Sequence, residues 1–487
     1  MNTDMALILA LAVPLIGAVL IGLTGRHPNL RESVTLITAA ILLITVLIIT
    51  QSVLSGGRPS VVLFNLIPNI SIAFRAEPLG MIFAIVASSL WIPNSVYSIG
   101  YMRAHKEPFQ TRYYVCFALA ITSVMGLAFS ANLVTMFLFY ETLTLSTYPL
   151  VTHNGTPEAK RAGRLYLGLL IGTSVGFQLV AILLTYLTVG TTDFQSGGIL
   201  SGKAGPGLMM LLFILFIFGV GKAALMPFHR WLPAAMVAPT PVSALLHAVA
   251  VVKGGVFVVL KIVIYVFGLD LMQVAHPGEW LIWLAAFTIL ASSLIAMTKD
   301  NLKARLAYST ISQLSYIVLG AALATTASIT GGGLHLVTHA FGKITLFFCA
   351  GAIITAAHKS NISEMRGIGR AMPITMIAFL IGSLSVIGLP PLGGAWSKWY
   401  LVVGAMEAGQ AFFVAVLVIG SLLNIAYLMP VVVQAFFPEE SSTQFKNEIR
   451  EAPLACLIPI LLTAAGCVII FVYPDPFHAL LQQIVRR

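Results

Sequence analysis

The sequence predicts an all-α protein that crosses a lipid bilayer about fourteen times. Composition is the first reason: 58% of the 487 residues are hydrophobic and 9% are charged, whereas soluble domains carry about 25% charged residues. Long apolar runs and a one-sided distribution of positive charge are the other two. The mean hydropathy of +0.96 excludes a water-soluble protein of this size. The net charge is +10, but the sequence contains no run of five or more basic residues. No nucleic-acid partner is therefore expected.

A spanning helix needs about 20 predominantly apolar residues, and fourteen segments of the sequence meet this requirement. The first follows the N-terminus directly. It lacks the basic start of a signal peptide and its apolar run is too long for one. We number the segments as spans 1 to 14: 4–23, 33–54, 78–99, 113–130, 132–151, 165–189, 207–237, 240–267, 279–298, 304–325, 331–357, 373–406, 410–436 and 452–473.

Two of these spans contain helix breakers. Span 7 includes Met226-Pro227 and Leu232-Pro233, and span 12 includes Gly-Leu-Pro-Pro-Leu-Gly-Gly at 388–394. A proline inside a helix lacks a donor N–H and collides with the preceding turn, so both helices are predicted to be interrupted. At membrane depth, interrupted helices are tolerated only against protein or a wet cavity. A matching pair in two halves of a chain indicates inverted repeats with a transport path between them.

Lysine and arginine set the predicted orientation. With the N-terminus outside, 17 basic residues between Arg26 and Arg450, Lys446 included, fall in cytoplasmic segments. Five fall outside: Arg58, Arg75, Lys203, Arg486 and Arg487. Positive charge concentrates on the cytoplasmic side of membrane proteins. The sequence therefore predicts a multi-pass protein of a bacterial inner membrane with both termini outside.

The other five basic residues lie within spans, and all are lysines: Lys222, Lys253, Lys261, Lys343 and Lys398. None of the fifteen arginines lies deep in a span; Arg230 and Arg305 fall at the cytoplasmic ends of spans 7 and 10. Arginine keeps its proton in proteins, whereas a lysine removed from water can lose and regain one. A row of buried lysines without arginine therefore favours proton relay. The alternative is a structural set, paired or reaching to the interface; it fits Lys261 best, because that residue lies near the outer end of span 8.

One carboxylate, Glu141, lies in the middle of a span, span 5. A lone buried carboxylate needs a partner, and Lys222 is the candidate. Such a pair would hold the lysine protonated, and separating the two groups would let the proton leave. A static ion pair is the alternative. Sodium prefers several oxygen ligands, so one glutamate is a poor sodium site, and the ion predicted to move through this chain is H⁺.

Histidines supply the connecting groups. His335, His339 and Lys343 are spaced four residues apart in span 11, which places them on one helix face. Such a stripe can pass a proton through water. Two histidines one turn apart can also bind zinc, but no third ligand lies nearby in sequence. His247 in span 8 and His229 beside the span 7 break are further candidates, although a lone helical histidine is often simply hydrogen-bonded.

The cysteines point to no cofactor. The four of them form no CxxC or CxxCH pair, and the sequence contains no ligand set for a metal, a haem or an iron–sulfur cluster. No cofactor and no catalytic chemistry are therefore expected in this chain.

Several long runs resemble the proton-conducting antiporter-like subunits of respiratory complex I, Mrp-type Na⁺/H⁺ antiporters and membrane-bound hydrogenases. The resemblance covers roughly spans 4 to 13. The runs are FLFYETLTLSTYPLVTH (137–153), GKAALMPFHRWLPAAMVAPTPVSALLHAVAVVKGGVF (221–257), LKARLAYSTISQLSYI (302–317), HLVTHAFGKITLFF (335–348) and GLPPLGGAWSKWYL (388–401).

The resemblance implies fourteen core helices with two inverted five-helix repeats, at spans 4–8 and 9–13. The implied division of the chain is a three-helix segment 1–111, repeats 112–268 and 269–436, and a C-terminal loop and helix 437–487. Carried over residue by residue, the pathway of the family falls on Glu141, Lys222, Lys253, His335, His339, Lys343 and Lys398. Lys398 departs from those complex I subunits that carry glutamate there.

The stretch ETLTLSTYPLVTHNGTPEA is most similar to the D-type subunit of Mrp antiporters and its hydrogenase equivalents. The expected function is therefore proton translocation within a multisubunit antiporter, which as a whole exchanges H⁺ for Na⁺ or another monovalent cation. The alternative is a proton-pumping subunit of a hydrogenase-type or NADH–quinone oxidoreductase complex. A stand-alone transporter of an organic solute would need a roomy central site instead of a linear row of titratable groups. The expected partners are H⁺, other membrane subunits and the lipid bilayer.

Overall fold

The computed structural model describes residues 3–67, 70–437 and 449–485. Helices dominate these residues, which confirms the all-α prediction. The sheet found among them is one antiparallel hairpin, formed by strands Ser60–Ile67 and Ile70–Arg75. Of the basic residues used for the orientation, Lys446, Arg486 and Arg487 lie outside the described ranges.

Eleven helices in the described part of the chain are long and apolar enough to cross a membrane. They correspond to spans 1–4, 6, 8–11, 13 and 14. Their bounds are Thr3–Leu23, Pro28–Leu54, Pro78–Ala104, Gln110–Ala128, Pro157–Val189, Thr240–Phe267, Glu279–Met297, Leu302–Leu323, Thr326–Ala357, Ala411–Phe436 and Leu454–Val472. Span 5 is the helix Leu133–Val151, which carries Glu141. The total of fourteen crossings stays a prediction.

Spans 7 and 12 are both interrupted, which confirms the prediction made from their prolines and glycines. Span 12 consists of helices Pro373–Ile387 and Gly394–Glu407, with the proline–glycine segment between them. Span 7 consists of the pieces Pro206–Gly219, a 3₁₀ turn Gly221–Ala223, a short helix Trp231–Ala234 and a 3₁₀ turn Ala235–Val237. The first helix of span 7 therefore ends three residues before Lys222.

Spans 6 and 8 contain wide π-helical turns. Span 6 has one at Ser174–Gln178, between helices Pro157–Thr173 and Leu179–Val189. Span 8 is buried along its whole length, and its pieces are Thr240–Ala244, a π turn Leu245–Val249, Val251–Lys261 and a π turn Ile262–Phe267. Turns of this kind inside helices are frequent at functional sites, and the first turn of span 8 contains His247.

Short elements connect the spans. They are the helix Leu269–Ala275, the 3₁₀ turn Ile362–Glu364 and the helix Ile368–Ala371. A final helix, Asp475–Val485, follows span 14. This final helix was not predicted from the sequence. Its Leu480 and Leu481 are fully buried, because the helix folds back onto spans 3 and 11.

If the chain crosses the membrane back and forth, every second loop lies on the same side. Loops assigned to the same side in this way contact one another. Ser60 donates its N–H to Asp4 at 3.1 Å, and Arg58 donates to Gln483 at 2.9 Å. At the opposite end of the bundle, Arg31 donates to Gln110 at 2.9 Å. These contacts join loops that the predicted topology assigns to the same side.

Two asparagines play parallel roles in the two halves of the chain. Asn132 caps the N-terminus of span 5 and forms an isolated bridge with Asp193. Asn301 caps span 10 and forms the same kind of bridge with Asn361. Such a parallel is what repeated units would produce, and the inverted repeats themselves stay a prediction.

Candidate proton pathway

A lysine and a histidine from different spans meet inside the bundle. Lys253, in the part of span 8 that follows its first π turn, places Nζ 2.6 Å from Nδ1 of His339 in span 11. Both side chains are buried. A contact between two nitrogens at this distance requires one proton between them, donated by either partner. The pair can therefore pass a proton between two spans.

A second histidine extends this contact toward span 12. The rings of His335 and His339 are nearly parallel, with centroids 5.7 Å apart and 18° between the planes. Nδ1 of His335 lies 2.9 Å from Oγ of Ser397, the residue before Lys398. Nε2 of each histidine is buried without a hydrogen-bond partner among the described residues, and such atoms are the ones that an ordered water binds.

Lys343, the third member of the span 11 stripe, turns toward span 10. Its Nζ donates to Oγ of Ser309 at 2.6 Å and to the carbonyl oxygen of Leu306 at 3.2 Å. Oη of Tyr427 in span 13 lies 2.8 Å from the same serine oxygen. Sequence reasoning missed these hydroxyl neighbours, because serines and tyrosines are common in apolar helices and only the fold shows which ones face a lysine.

Lys398 lies in the first turns of the second half of span 12. Its Nζ donates to the carbonyl oxygen of Ile387 and to Oγ of Ser421, each at 2.9 Å. It also lies 4.7 Å from the ring centre of Tyr316. Gly388, at φ 91°, makes room for this side chain, because a Cβ there would lie 2.6 Å from Cδ of the lysine. The break thus leaves the carbonyl oxygen of Ile387 free to accept from Lys398, and it makes room for the lysine side chain.

A cavity of about 220 Å³ opens beside Lys398, between spans 12 and 13. Most of its lining is apolar. Leu389 and Leu422 at its rim are 42% and 58% exposed. The cavity therefore opens sideways, on an apolar face of the bundle.

Lys222 and Glu141 do not form the direct ion pair that the sequence suggested. No ion pair within 4.0 Å joins them in the described structure. Nζ of Lys222 donates instead to the carbonyl oxygen of Tyr140 at 2.8 Å and lies 3.2 Å from the centre of that ring. The span 7 break presses Lys222 against the backbone of span 5, one residue before Glu141. A link through one water molecule between the two charged groups stays a prediction.

His247 lies in the first π turn of span 8 and faces span 11. Its ring centre is 4.7 Å from that of Phe347, which is one helical turn from Lys343. Both ring nitrogens are buried without a hydrogen-bond partner among the described residues. His247 therefore lies beside the stripe without touching another predicted site residue directly.

Lys261 has a carboxylate partner that sequence reasoning missed. Its Nζ lies 3.6 Å from Oε2 of Glu77 and 2.5 Å from the carbonyl oxygen of Ser130. Glu77 also pairs with Arg75 at 2.6 Å. In the sequence Glu77 lies in the loop before span 3, and only the fold brings it to the outer end of span 8. This cluster fits the structural alternative for Lys261.

Replacing Glu77 with glutamine is expected to lower the free energy of unfolding by about 3–5 kcal/mol, because Lys261 would keep a buried charge without its carboxylate. The double change Glu77→Gln with Lys261→Met should recover most of this loss. Thermal unfolding of the detergent-solubilised protein measures both. The control is Glu364→Gln, which removes a more exposed pair with Lys359 at 3.8 Å and should have little effect. Equal unfolding midpoints for the two single variants would contradict the structural role.

The remaining candidate, His229, lies apart from the relay. Its ring is 6.4 Å from that of Tyr308, at the end of the bundle where span 7 finishes. Lys303, assigned to a loop from the sequence, belongs to the first turn of span 10 and donates to the carbonyl oxygen of Ala238 at 2.6 Å. No group of three His, Cys, Asp or Glu side chains that could hold a metal occurs within the described ranges.

Fold and site together define a class: multi-pass membrane proteins with two interrupted helices and with buried lysines and histidines in and between them. Sequence comparison is more specific. The family described as "NADH:quinone oxidoreductase/Mrp antiporter, TM" matches residues 130–424, which is more than half of the chain. The protein belongs to this family.

Curated relatives agree with the family. The chain is 32% identical over 417 residues to NADH-quinone oxidoreductase subunit N of Desulforudis audaxviator, covering 82% of this chain and 81% of the relative. It is 32% identical over 363 residues to NAD(P)H-quinone oxidoreductase chain 5 of Synechocystis sp.. That match covers 70% of this chain but only 51% of the relative.

Solved structures show the same fold. A chain of the Mrp complex from Dietzia sp. DQ12-45-1b superposes with a TM-score of 0.86 at 21% identity, covering 100% of this chain and 98% of that one. A chain of the membrane-bound sulfane sulfur reductase, an archaeal respiratory membrane complex, gives a TM-score of 0.86 at 24% identity, with coverages of 99% and 98%. At these identities the likeness concerns the fold alone.

Proposed function

We propose that this chain translocates protons as one subunit of a multisubunit membrane complex. The direct contact between Nζ of Lys253 and Nδ1 of His339 carries the proposal. A structural lysine would be expected to meet a carboxylate, as Lys261 meets Glu77. Lys253 meets a second group that can itself gain and lose a proton, which is the arrangement that a relay needs.

The pathway begins at the span 7 break. Lys222 lies there beside Glu141, and the backbone of Lys222 packs so tightly on Gly255 of span 8 that a Cβ at the glycine would collide with it. Gly255 is two residues from Lys253. A proton that leaves Lys222 therefore passes between two spans that are in backbone contact, and water would carry it to the Lys253–His339 pair.

From that pair the pathway continues along span 11 to Lys398. His335 stacks on His339 and contacts Ser397. The cavity beside Lys398 opens on an apolar side of the bundle, where Val418 is 49% exposed. This is the position at which a neighbouring membrane subunit would take over the proton. We therefore place another membrane subunit against spans 12 and 13.

The complex that we propose is an Mrp-type exchanger of Na⁺, or another monovalent cation, for H⁺. The similarity of the span 5 region to the D-type subunit of such exchangers supports this assignment. The second candidate is a proton-pumping NADH–quinone oxidoreductase or hydrogenase-type complex, which the curated relatives favour by name. Purification of the complex from its native membrane separates the two: small membrane subunits alone support the exchanger, and redox subunits support the alternative.

We further propose a bacterial inner membrane, with both termini outside. The 17 to 5 division of basic residues supports this orientation. A tag fused to the N-terminus should then be accessible to a protease added to intact spheroplasts. If the tag is protected from the protease, the N-terminus lies inside and the proposed orientation is wrong.

Replacing Glu141 with glutamine is expected to lower transport about tenfold or more, because the amide keeps the shape but cannot hold a proton on Lys222. Reconstituted vesicles with an imposed Na⁺ gradient and an internal pH dye measure the rate. Glu158→Gln, at an exposed position where span 6 begins, is the matched control. Wild-type transport by the Glu141 variant would show that Glu141 is not part of the pathway.

A further inference from the structure

We propose that Lys398 is supplied by a second branch, a row of hydroxyl groups that leads from Lys343 through spans 10 and 13 and bypasses His335. The proposal rests on the proposed function and adds residues to the same pathway. Its members are Ser309, Tyr427, Asn424 and Ser421. We call them the hydroxyl branch.

The first half of the branch is continuously hydrogen-bonded. Nζ of Lys343 lies 2.6 Å from Oγ of Ser309, and the same oxygen lies 2.8 Å from Oη of Tyr427. The tyrosine hydroxyl also donates to Oδ1 of Asn424. All four side chains are fully buried, so bulk water does not compete for these bonds.

The second half lies on one face of span 13. Ser421, Asn424 and Tyr427 follow one another at intervals of three residues, which makes them neighbours on a helix surface, about 5–6 Å apart at Cβ. Ser421 holds Nζ of Lys398 at 2.9 Å. Nδ2 of Asn424 is buried without a hydrogen-bond partner among the described residues. One water molecule bound to this amide and to Ser421 would complete the row.

In the first half of the branch the donors can point from Lys343 toward Asn424. At the far end Lys398 donates to Ser421, and Ser421 donates to the carbonyl oxygen of Leu417 at 3.0 Å. Ser421 therefore has to turn toward Lys398 when that lysine is an uncharged amine.

A tyrosine hydroxyl has one proton, and Tyr427 is placed to donate it to either Ser309 or Asn424. The amide oxygen of Asn424 can only accept, so the proton points there whenever Ser309 donates to the tyrosine. The proton of Ser309 can then point at the tyrosine oxygen while Lys343 donates to Ser309. Ordered in this way, each oxygen can accept a proton on one side and release another on the opposite side.

In the forward direction each group passes one proton to the next. Lys343 releases a proton to Oγ of Ser309, and Ser309 passes its own proton to Oη of Tyr427. Tyr427 turns its hydroxyl from Oδ1 of Asn424 to the water held by Nδ2 of the same amide and passes its own proton to that water. The water then passes one of its protons to Ser421, and Ser421 passes its own to the free amine of Lys398. Lys343 ends as an amine and Lys398 as an ammonium group, while each hydroxyl and the water keep their composition and turn back for the next cycle.

The alternative is that these hydroxyls only satisfy one another in a buried place. Tyr427→Phe separates the two ideas, because it removes the hydroxyl and keeps the ring. We expect it to lower proton transport by the reconstituted complex about two- to tenfold, since the His335 branch remains. Tyr97→Phe is the matched control. Its hydroxyl is equally buried and donates at 2.8 Å to the carbonyl oxygen of Phe348, away from the branch.

Double variants test the order of the groups. Tyr427→Phe with Ser309→Ala should be no slower than Tyr427→Phe alone, because both changes cut the same branch. Tyr427→Phe with Ser397→Ala cuts both routes and should be about 100-fold slower than wild type. If the Tyr427→Phe complex fails to assemble, the transport rate of Ser309→Ala alone tests the branch.

The outcomes are distinct. Two results would overturn the hydroxyl branch. One is that Tyr427→Phe transports protons as fast as Tyr97→Phe. The other is that the double variant Tyr427→Phe with Ser397→Ala is no slower than either single variant. A failure of the proposed function itself would appear elsewhere, as wild-type proton transport by a Lys253→Met complex.

Discussion

Replacing Lys398 with arginine is expected to slow cation–proton exchange about 100-fold or more while the complex still assembles. The change keeps the positive charge and nearly the same length, and the adjoining cavity of about 220 Å³ has room for the larger head group. Arginine can still donate to the carbonyl oxygen of Ile387 and to Ser421. It cannot give up its proton, so it would stop every route that ends at position 398.

Vesicles that contain the reconstituted complex provide the measurement, as proton movement driven by a Na⁺ gradient. Lys203→Arg, at an exposed position between spans 6 and 7, makes the same substitution away from the pathway and should transport normally. If the Lys398 variant exchanges ions as fast as this control, Lys398 acts only through its charge, and the proton must leave by another group.

Replacing His339 with asparagine is expected to have an effect of similar size. The amide oxygen of asparagine occupies roughly the position of Nδ1, so it can accept the hydrogen bond from Lys253 and preserve the packing of spans 8 and 11. It cannot take up a proton at physiological pH. Both branches toward Lys398 would then lose their supply from Lys253, and transport should fall about 100-fold or more.

His276→Asn is the matched control, because His276 lies exposed between spans 8 and 9. Assembly and thermal unfolding of the His339 variant should stay close to those of wild type. Normal transport with an intact fold would mean that Lys253 and His339 are only a structural pair, and the central contact of the proposed pathway would lose its role.

The sequence predicted those features that depend on local chemistry. Prolines and glycines interrupt a helix whatever surrounds them, so the breaks in spans 7 and 12 fell where they were expected. The stripe of His335 and His339 follows from helix geometry in the same way.

Features that depend on which helices touch were not predictable. The contact between Lys253 and His339 joins residues that are 86 positions apart, and no pattern in either helix specifies the other. Glu77 was missed as the partner of Lys261 for the same reason. The Glu141–Lys222 pairing was inferred from the need of each charge for a partner. That inference did not anticipate that the broken helix would present Lys222 to the carbonyl group of Tyr140 instead.

The first π turn of span 8 changes the rotational phase of the helix. His247 and Lys253 are six residues apart and would face directions about 120° apart on an uninterrupted α-helix. With the wide turn between them, both reach span 11, one against Phe347 and the other against His339. Each residue added to or removed from this turn would rotate the segment before it by about 100° relative to the segment after it. Helix length at 245–249 therefore matters to the proposed proton pathway, and losing one residue there would turn His247 away from Phe347 without any substitution of either residue.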